Sequence, residues 1–263
     1  MTTGDLLRSG WDVGLVVPGL SIATLAAYGA RFGARAGGRA IYFVLAVALA
    51  FLALASPIAV LARGYLFSAH MVQHLILLLA VPPLALLGLP RVDGEATRGS
   101  ALGMLGPWVA GVGAMWLWHV QALCNAAAVS APVQAVQTAS LVAMGVVFWR
   151  PVLAPRDADR LPPLDAMVYL FAACVACTLL GILVTFSPAS VCSAYANPVD
   201  RLGVIPLLRE GWGLTPKNDQ ELGGVLMWVP TCVVYAAAIL ATLARYYRGE
   251  ERPALARTHE EHR

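Results

Sequence analysis

Charge is scarce in this chain. Only 13% of its 263 residues are Asp, Glu, Lys or Arg, about half of the roughly 25% usual in a soluble domain. The shortage is concentrated in long uncharged runs. With 59% hydrophobic residues and a mean hydropathy of +0.71, this excludes an ordinary soluble domain and indicates a polytopic membrane protein. Cys124, Cys174, Cys177, Cys192 and Cys232 are irregularly spaced, so no secreted disulfide framework is expected. The opening MTTGDLLRSG has no basic stretch leading into a short apolar core; the first apolar run is expected to be a span rather than a cleavable signal. There is no internal repeat, no phosphate-binding glycine loop and no nucleic-acid signature.

What is present reads as an all-α membrane bundle of seven helices. The expected spans are residues 11–30, 40–62, 67–89, 101–120, 133–153, 165–187 and 222–245, which makes 1–245 one membrane domain and 246–263 a charged cytoplasmic tail. Threading the chain through seven spans puts 13 of the 18 Lys and Arg residues on one side; Arg8, Arg63, Arg201, Arg209 and Lys217 fall on the other. Cytoplasmic loops carry the basic excess. The N-terminus is therefore expected outside and the C-terminus in the cytoplasm.

This topology collects the polar side chains at the outer end. His70 and His74 lie near the outer end of the third span, one helical turn apart and on one face. His119 closes the fourth span after Trp116 and Trp118, and Cys124 follows it. Gln134, Gln137 and Thr138 open the fifth span. Asp219 and Gln220 precede the seventh, with Met227 about two turns inside it. Pro82 and Pro83 remove backbone donors from the middle of the third span, so a kink supported by neighbouring helices is expected there.

An imidazole inside a membrane is costly without a partner and marks a functional site by default. Two histidines from one helix and a third from another can make a trigonal metal site. Copper and zinc both accept imidazole, and cuprous copper also accepts thioether and thiolate. The candidate ligands are His70, His74 and His119, with Met71, Cys124 and Met227 as additions. Gln73, Gln134, Asp219 and Gln220 are candidate hydrogen-bonding or structural partners, because a ligating histidine usually donates its other nitrogen to an oxygen. Two other readings stay open: histidines serving only hydrogen bonds, and a heme held between His74 and His119.

Cys174 and Cys177 share a face in the sixth span; small packing residues are the expectation, with transient metal contact as the alternative. The outer segment 188–221 is long for a plain connection. Its LGVIPLLREGWGL stretch is apolar enough for a short interfacial helix anchored by Trp212. Gly223 and Gly224 read as close helix-packing positions. His259 and His262 sit in the charged tail and are expected to be solvated.

Taken together, several of these stretches carry a resemblance. Ser68-Ala-His-Met-Val-Gln-His74, followed by Pro82-Pro83 and Leu-Gly-Leu-Pro at 87–90, resembles the signature of the CtaG-type cytochrome c oxidase assembly factors of bacterial membranes. Trp116-Leu-Trp-His119, Phe148-Trp149, Gly181 through Ser187, Asp219-Gln220, Leu-Gly-Gly at 222–224 and Met227-Trp228-Val-Pro230 are similar to further parts of that family. The likeness covers about residues 65–245.

The resemblance implies a seven-span protein of the bacterial cytoplasmic membrane, not an enzyme, that assists copper insertion into a heme–copper oxidase from the outer side. Its implied partners are the oxidase catalytic subunit, a copper chaperone as donor and the lipid bilayer, with no nucleic acid. Family members usually open the fifth span with a second histidine pair, where this chain has Gln134 and Thr138. Cys192 replaces a commoner aromatic, and Gln121 a usual proline. The alternatives are a metal-free accessory subunit of the oxidase and a heme-binding electron carrier.

Overall fold

The structure is a computed structural model that describes residues 2–11, 14–92 and 101–261, except for the side chains of 101–102 and 249–261. Among the described residues there is no strand. The helices are α1 (Thr3–Ser9), α2 (Val16–Ala36), α3 (Ala40–Ala55), α4 (Pro57–Ala62), α5 (Phe67–Leu75), α6 (Val81–Gly88), α7 (Ala101–Trp118), α8 (Gln121–Val129), α9 (Ala131–Leu153), α10 (Pro163–Phe186), α11 (Ser193–Ala196) and α12 (Pro216–Glu261). Five helical stretches are long and apolar enough to cross a membrane: Val16–Ala55, Phe67–Gly88, Ala131–Leu153, Pro163–Phe186 and Pro216–Arg248. The first of them is a hairpin. Gly37, at φ 53°, and a 3-10 turn over Gly37–Arg39 reverse the chain, so that Tyr28 of α2 stacks on Phe43 of α3 at 3.9 Å.

Local chemistry explains where the expected spans break. The stretch 40–62 stops at Ser56, whose extended backbone ends α3 and whose Oγ accepts from the Ile58 N–H; Pro57 then opens α4 at a position that needs no donor. The stretch 67–89 bends where its prolines predict. Pro82 and Pro83 offer no N–H to the carbonyls of Leu78 and Leu79. The ladder widens into a π turn at Ile76–Ala80, with the Val81 N–H reaching Ile76 O. Helix α9 seats in this bend at Gly145, where a Cβ would stand 2.6 Å from Pro82 Cγ and 2.9 Å from the Leu78 oxygen. Only a glycine lets the two helices approach this closely.

Helix α12 is the spine on the other side. Gly224 presses against Thr185 of α10, and a Cβ on Gly223 would lie 2.5 Å from Phe67 Cδ1 and 3.3 Å from Met71 Cγ of α5. Both glycines thus serve close packing, one toward each neighbour. The main core includes Met71, Met115, Leu141, Leu170, Met227 and Tyr235.

A smaller core of Leu6, Leu61, Tyr65, Leu66, Val204 and Leu208 closes one end of the bundle. Within the 188–221 segment the expected short helix is a single π turn, Leu207–Gly211, with Leu208 buried in this second core. Trp212 donates from Nε1 to Thr3 Oγ1 at 3.1 Å, which ties the segment to α1. Helix α12 continues to Glu261 instead of ending near residue 245. Arg98, His262 and Arg263 lie outside the described residues, as do the side chains of Arg252, Arg257 and His259.

Candidate histidine–methionine site

Helix α5 has no side-chain cap of its own, since Leu66 precedes it. Asp219, at the start of α12, supplies the cap from across the bundle. Its carboxylate accepts from the Phe67 N–H at 2.8 Å, the Ser68 N–H at 3.0 Å and the Ser68 hydroxyl at 2.5 Å. An anion suits the positive end of a helix dipole, and this one fixes the turn that leads into His70. Asp219 therefore acts on α5 rather than on a ring nitrogen, the role the sequence reading gave it as a hydrogen-bonding candidate.

The structure brings His70, His74 and His119 together, at 1%, 2% and 7% exposure. The His70 and His74 rings lie 4.2 Å apart between centroids, and His74 meets His119 edge to face at 5.8 Å. Tyr195 covers His70 at 5.3 Å and is pinned by donating from its hydroxyl to Ala62 O at 2.8 Å. Among the described residues, both ring nitrogens of His70 and both of His74 are buried without a hydrogen-bond partner. Buried polar groups are ordinarily satisfied, so four orphan nitrogens on adjacent turns make this face of α5 unusual.

His119 is different. Its Nδ1 lies 2.6 Å from Met115 O. A carbonyl only accepts, so Nδ1 carries the proton, and in the neutral ring Nε2 keeps its lone pair. That lone pair faces Met71 Sδ at 3.2 Å. A thioether sulfur has no proton to give, so two soft donors from different helices confront each other with no hydrogen between them. Such a pair suits a soft cation. His119 also lines a cavity of about 470 Å³ with Leu180, Leu183 and Phe186 of α10.

The other candidates are placed as follows. Cys124 is joined to Cys192 in a disulfide, with Cα atoms 5.8 Å apart. This corrects one expectation: Cys124 has no thiolate to offer a metal. Asn125 braces the same joint by accepting from the Ala194 N–H at 3.0 Å. Gln73 donates to Ala53 O at 2.8 Å and so locks α5 to α3. Gln220 accepts from the Val191 N–H at 2.9 Å and donates to Val184 O at 3.2 Å, which holds the chain leaving α10. Met227 is buried in the main core. Gln134, at the head of α9, is only partly buried.

Gln137, one turn further along, is buried and approaches His74 without closing a hydrogen bond of normal geometry; among the described residues its Nε2 has no partner. Sequence reasoning noticed Gln137 at this depth but did not select it over Gln134. The face of α9 that turns inward decides between them. Cys174 lies 3.2 Å from Cys232 across α10 and α12, away from the histidines. Among the described residues no three His, Cys, Asp or Glu side chains converge as a metal site. What the geometry offers is a mixed nitrogen and sulfur pair beside two open imidazoles.

No curated protein and no solved structure matches the chain. Residues 22–249 match the model of the family described as cytochrome c oxidase caa3 assembly factor (Caa3_CtaG). That match takes in the histidine-bearing helix, its trans cap and every other element of the site, and the chain belongs to this family of oxidase assembly factors.

Proposed function

We propose that this assembly factor carries copper as cargo at the histidine–methionine site and delivers it to the catalytic subunit of a heme–copper oxidase. Its role is non-catalytic. The observation that carries the copper reading is the unprotonated face of His119 Nε2 turned onto Met71 Sδ at 3.2 Å, with the orphan imidazoles of His70 and His74 alongside. Neutral ligands hold a monovalent ion in a low-dielectric region without adding unpaired anions. A two-donor start, with further imidazoles within reach, also favours transfer over permanent storage.

In this reading the protein has seven spans in a bacterial cytoplasmic membrane, with its N-terminus outside and its C-terminus inside. Two features support that placement. Arg39, Arg91, Arg160, Arg245 and Arg248 gather at one end of the bundle, as cytoplasmic ends do. The Cys124–Cys192 disulfide follows the opposite ends of α7 and α10, and disulfides persist in oxidising compartments such as the periplasm. A separate copper chaperone is the natural donor.

Cuprous titration of the purified protein against a competing chelator tests the proposal. Stoichiometric binding that M71L and H119A weaken is the expected result. A second reading, a metal-free accessory subunit of the oxidase, draws on the lack, among the described residues, of three His, Cys, Asp or Glu side chains placed to hold one metal ion. It requires that wild-type protein bind no more copper than H119A. A heme carrier would show a Soret band; His119 Nε2 faces Met71, not an opposing imidazole.

A further inference from the structure

The arginine-rich end of the bundle contains a cavity of about 460 Å³ that the copper reading does not use. Arg39 comes from the turn before α3, Arg91 from the chain after α6, Arg160 from the segment before α10, and Arg245 and Arg248 from α12. Four separate stretches of chain thus bring five guanidinium groups to one concavity. Among the described residues no Asp or Glu lines it.

Several of these groups are held in place. Arg39 donates from Nε to Leu89 O at 3.0 Å, Arg160 from Nε to Ala154 O at 2.7 Å, and Arg245 from Nη2 to Thr242 Oγ1 at 3.3 Å. Each of these bonds leaves other guanidinium donors unassigned. Asp157 pairs with Arg160 at 2.6 Å but is largely exposed and does not line the cavity. Burial lowers the Arg160 pKa, Asp157 opposes that, and Arg245, Arg91 and Arg39 lower it further. Like charges so close to one another are unfavourable without a counter-anion.

The floor is apolar. It includes Val152 and Trp149, a side chain 2% exposed whose indole N–H has no acceptor among the described residues. A small soluble anion would match the guanidinium groups and leave this floor unused. An amphiphile with phosphate at its head and acyl chains below matches both. Basic pockets between helix ends at a membrane face take anionic headgroups.

We propose that this cavity is a binding site for an anionic phospholipid, with a two-phosphate headgroup as in diphosphatidylglycerol matching five guanidinium groups best. The lipid's phosphates would lie among Arg39, Arg91, Arg160, Arg245 and Arg248 and its glycerol ester region over Trp149. The site is independent of copper and sits at the other end of the molecule.

The test uses the full chain in phosphatidylcholine nanodiscs doped with diphosphatidylglycerol, with retained lipid counted by native mass spectrometry. Wild type should retain the doped lipid. R91Q/R245Q should lower retention about thirtyfold, which is about 2 kcal/mol at 1.4 kcal/mol per tenfold, while R201Q, at the opposite end, leaves it unchanged. In wild type alone, raising NaCl from about 0.05 to about 0.5 M should weaken retention, because screening shortens the reach of the arginines. Salt-independent retention, or equal retention by R91Q/R245Q and wild type, overturns the proposal. So does inorganic pyrophosphate displacing the lipid at equal concentration, which would identify a soluble phosphate as the ligand.

Discussion

The carboxylate of Asp219 closes on Ser68, 151 positions earlier in the chain, through both its backbone N–H and its hydroxyl. A helix that starts without a local cap is thereby anchored by the last helix of the bundle, about half a turn before the first histidine of the site.

Replacing Asp219 by Ala should leave two buried N–H groups of α5 without an acceptor, at about 1–3 kcal/mol for an unsatisfied buried group. The thermal midpoint in detergent should fall, and hydrogen exchange at Phe67 and Ser68 should accelerate while that of α9 does not. Unchanged exchange at these amides would show that the cap is dispensable.

His119→Ala and Met71→Leu should each reduce cuprous retention by about tenfold, roughly 1.4 kcal/mol. His74→Ala should do the same, and Cys174→Ala should change little. Chelator competition on the four variants checks this. If Cys174→Ala loses copper and His74→Ala keeps it, the metal lies between α10 and α12.

Cys124→Ser should destabilise the protein by about 2–4 kcal/mol, the usual contribution of a disulfide, without altering copper stoichiometry. In intact cells, a periplasm-active reporter fused after Arg263 should be silent. An active reporter at that position would reverse the proposed orientation.

Gly145→Val should be among the most damaging single changes in the bundle interior. Its side chain would enter the bend at Leu78 and Pro82, where overpacking costs about 1–3 kcal/mol. A lower thermal midpoint measures it, and Gly113→Val is the control, since a Cβ at Gly113 meets nothing closer than 3.8 Å.

The sequence already showed helices where apolar runs are long, the bend at Pro82-Pro83 and the buried histidines, because each follows from local pattern. It also placed Met71 and His119 at one depth. What it could not show depends on approach between distant segments. Cys124 and Cys192 are 68 positions apart in connections without a period, so spacing gave no sign of their pairing. Gln73 lies one position before His74 and is turned about 100° around the helix, enough to send its amide to α3. Asp219 was found by its depth, yet only the packing of α12 on α5 through Gly223 shows that it serves the backbone of α5.

That packing also bears on the order in which the protein is made. His70 and His74 leave the ribosome early, His119 follows, and Gly223 and Asp219 arrive with the final helix. Until then the first turn of α5 has no acceptor for its leading amides and no wall beside Phe67 and Met71. An incomplete chain therefore holds its imidazoles on an unanchored helix, and only the finished polypeptide presents them in a fixed arrangement. The carboxylate that steadies the mature helix is missing for as long as the chain is half-built.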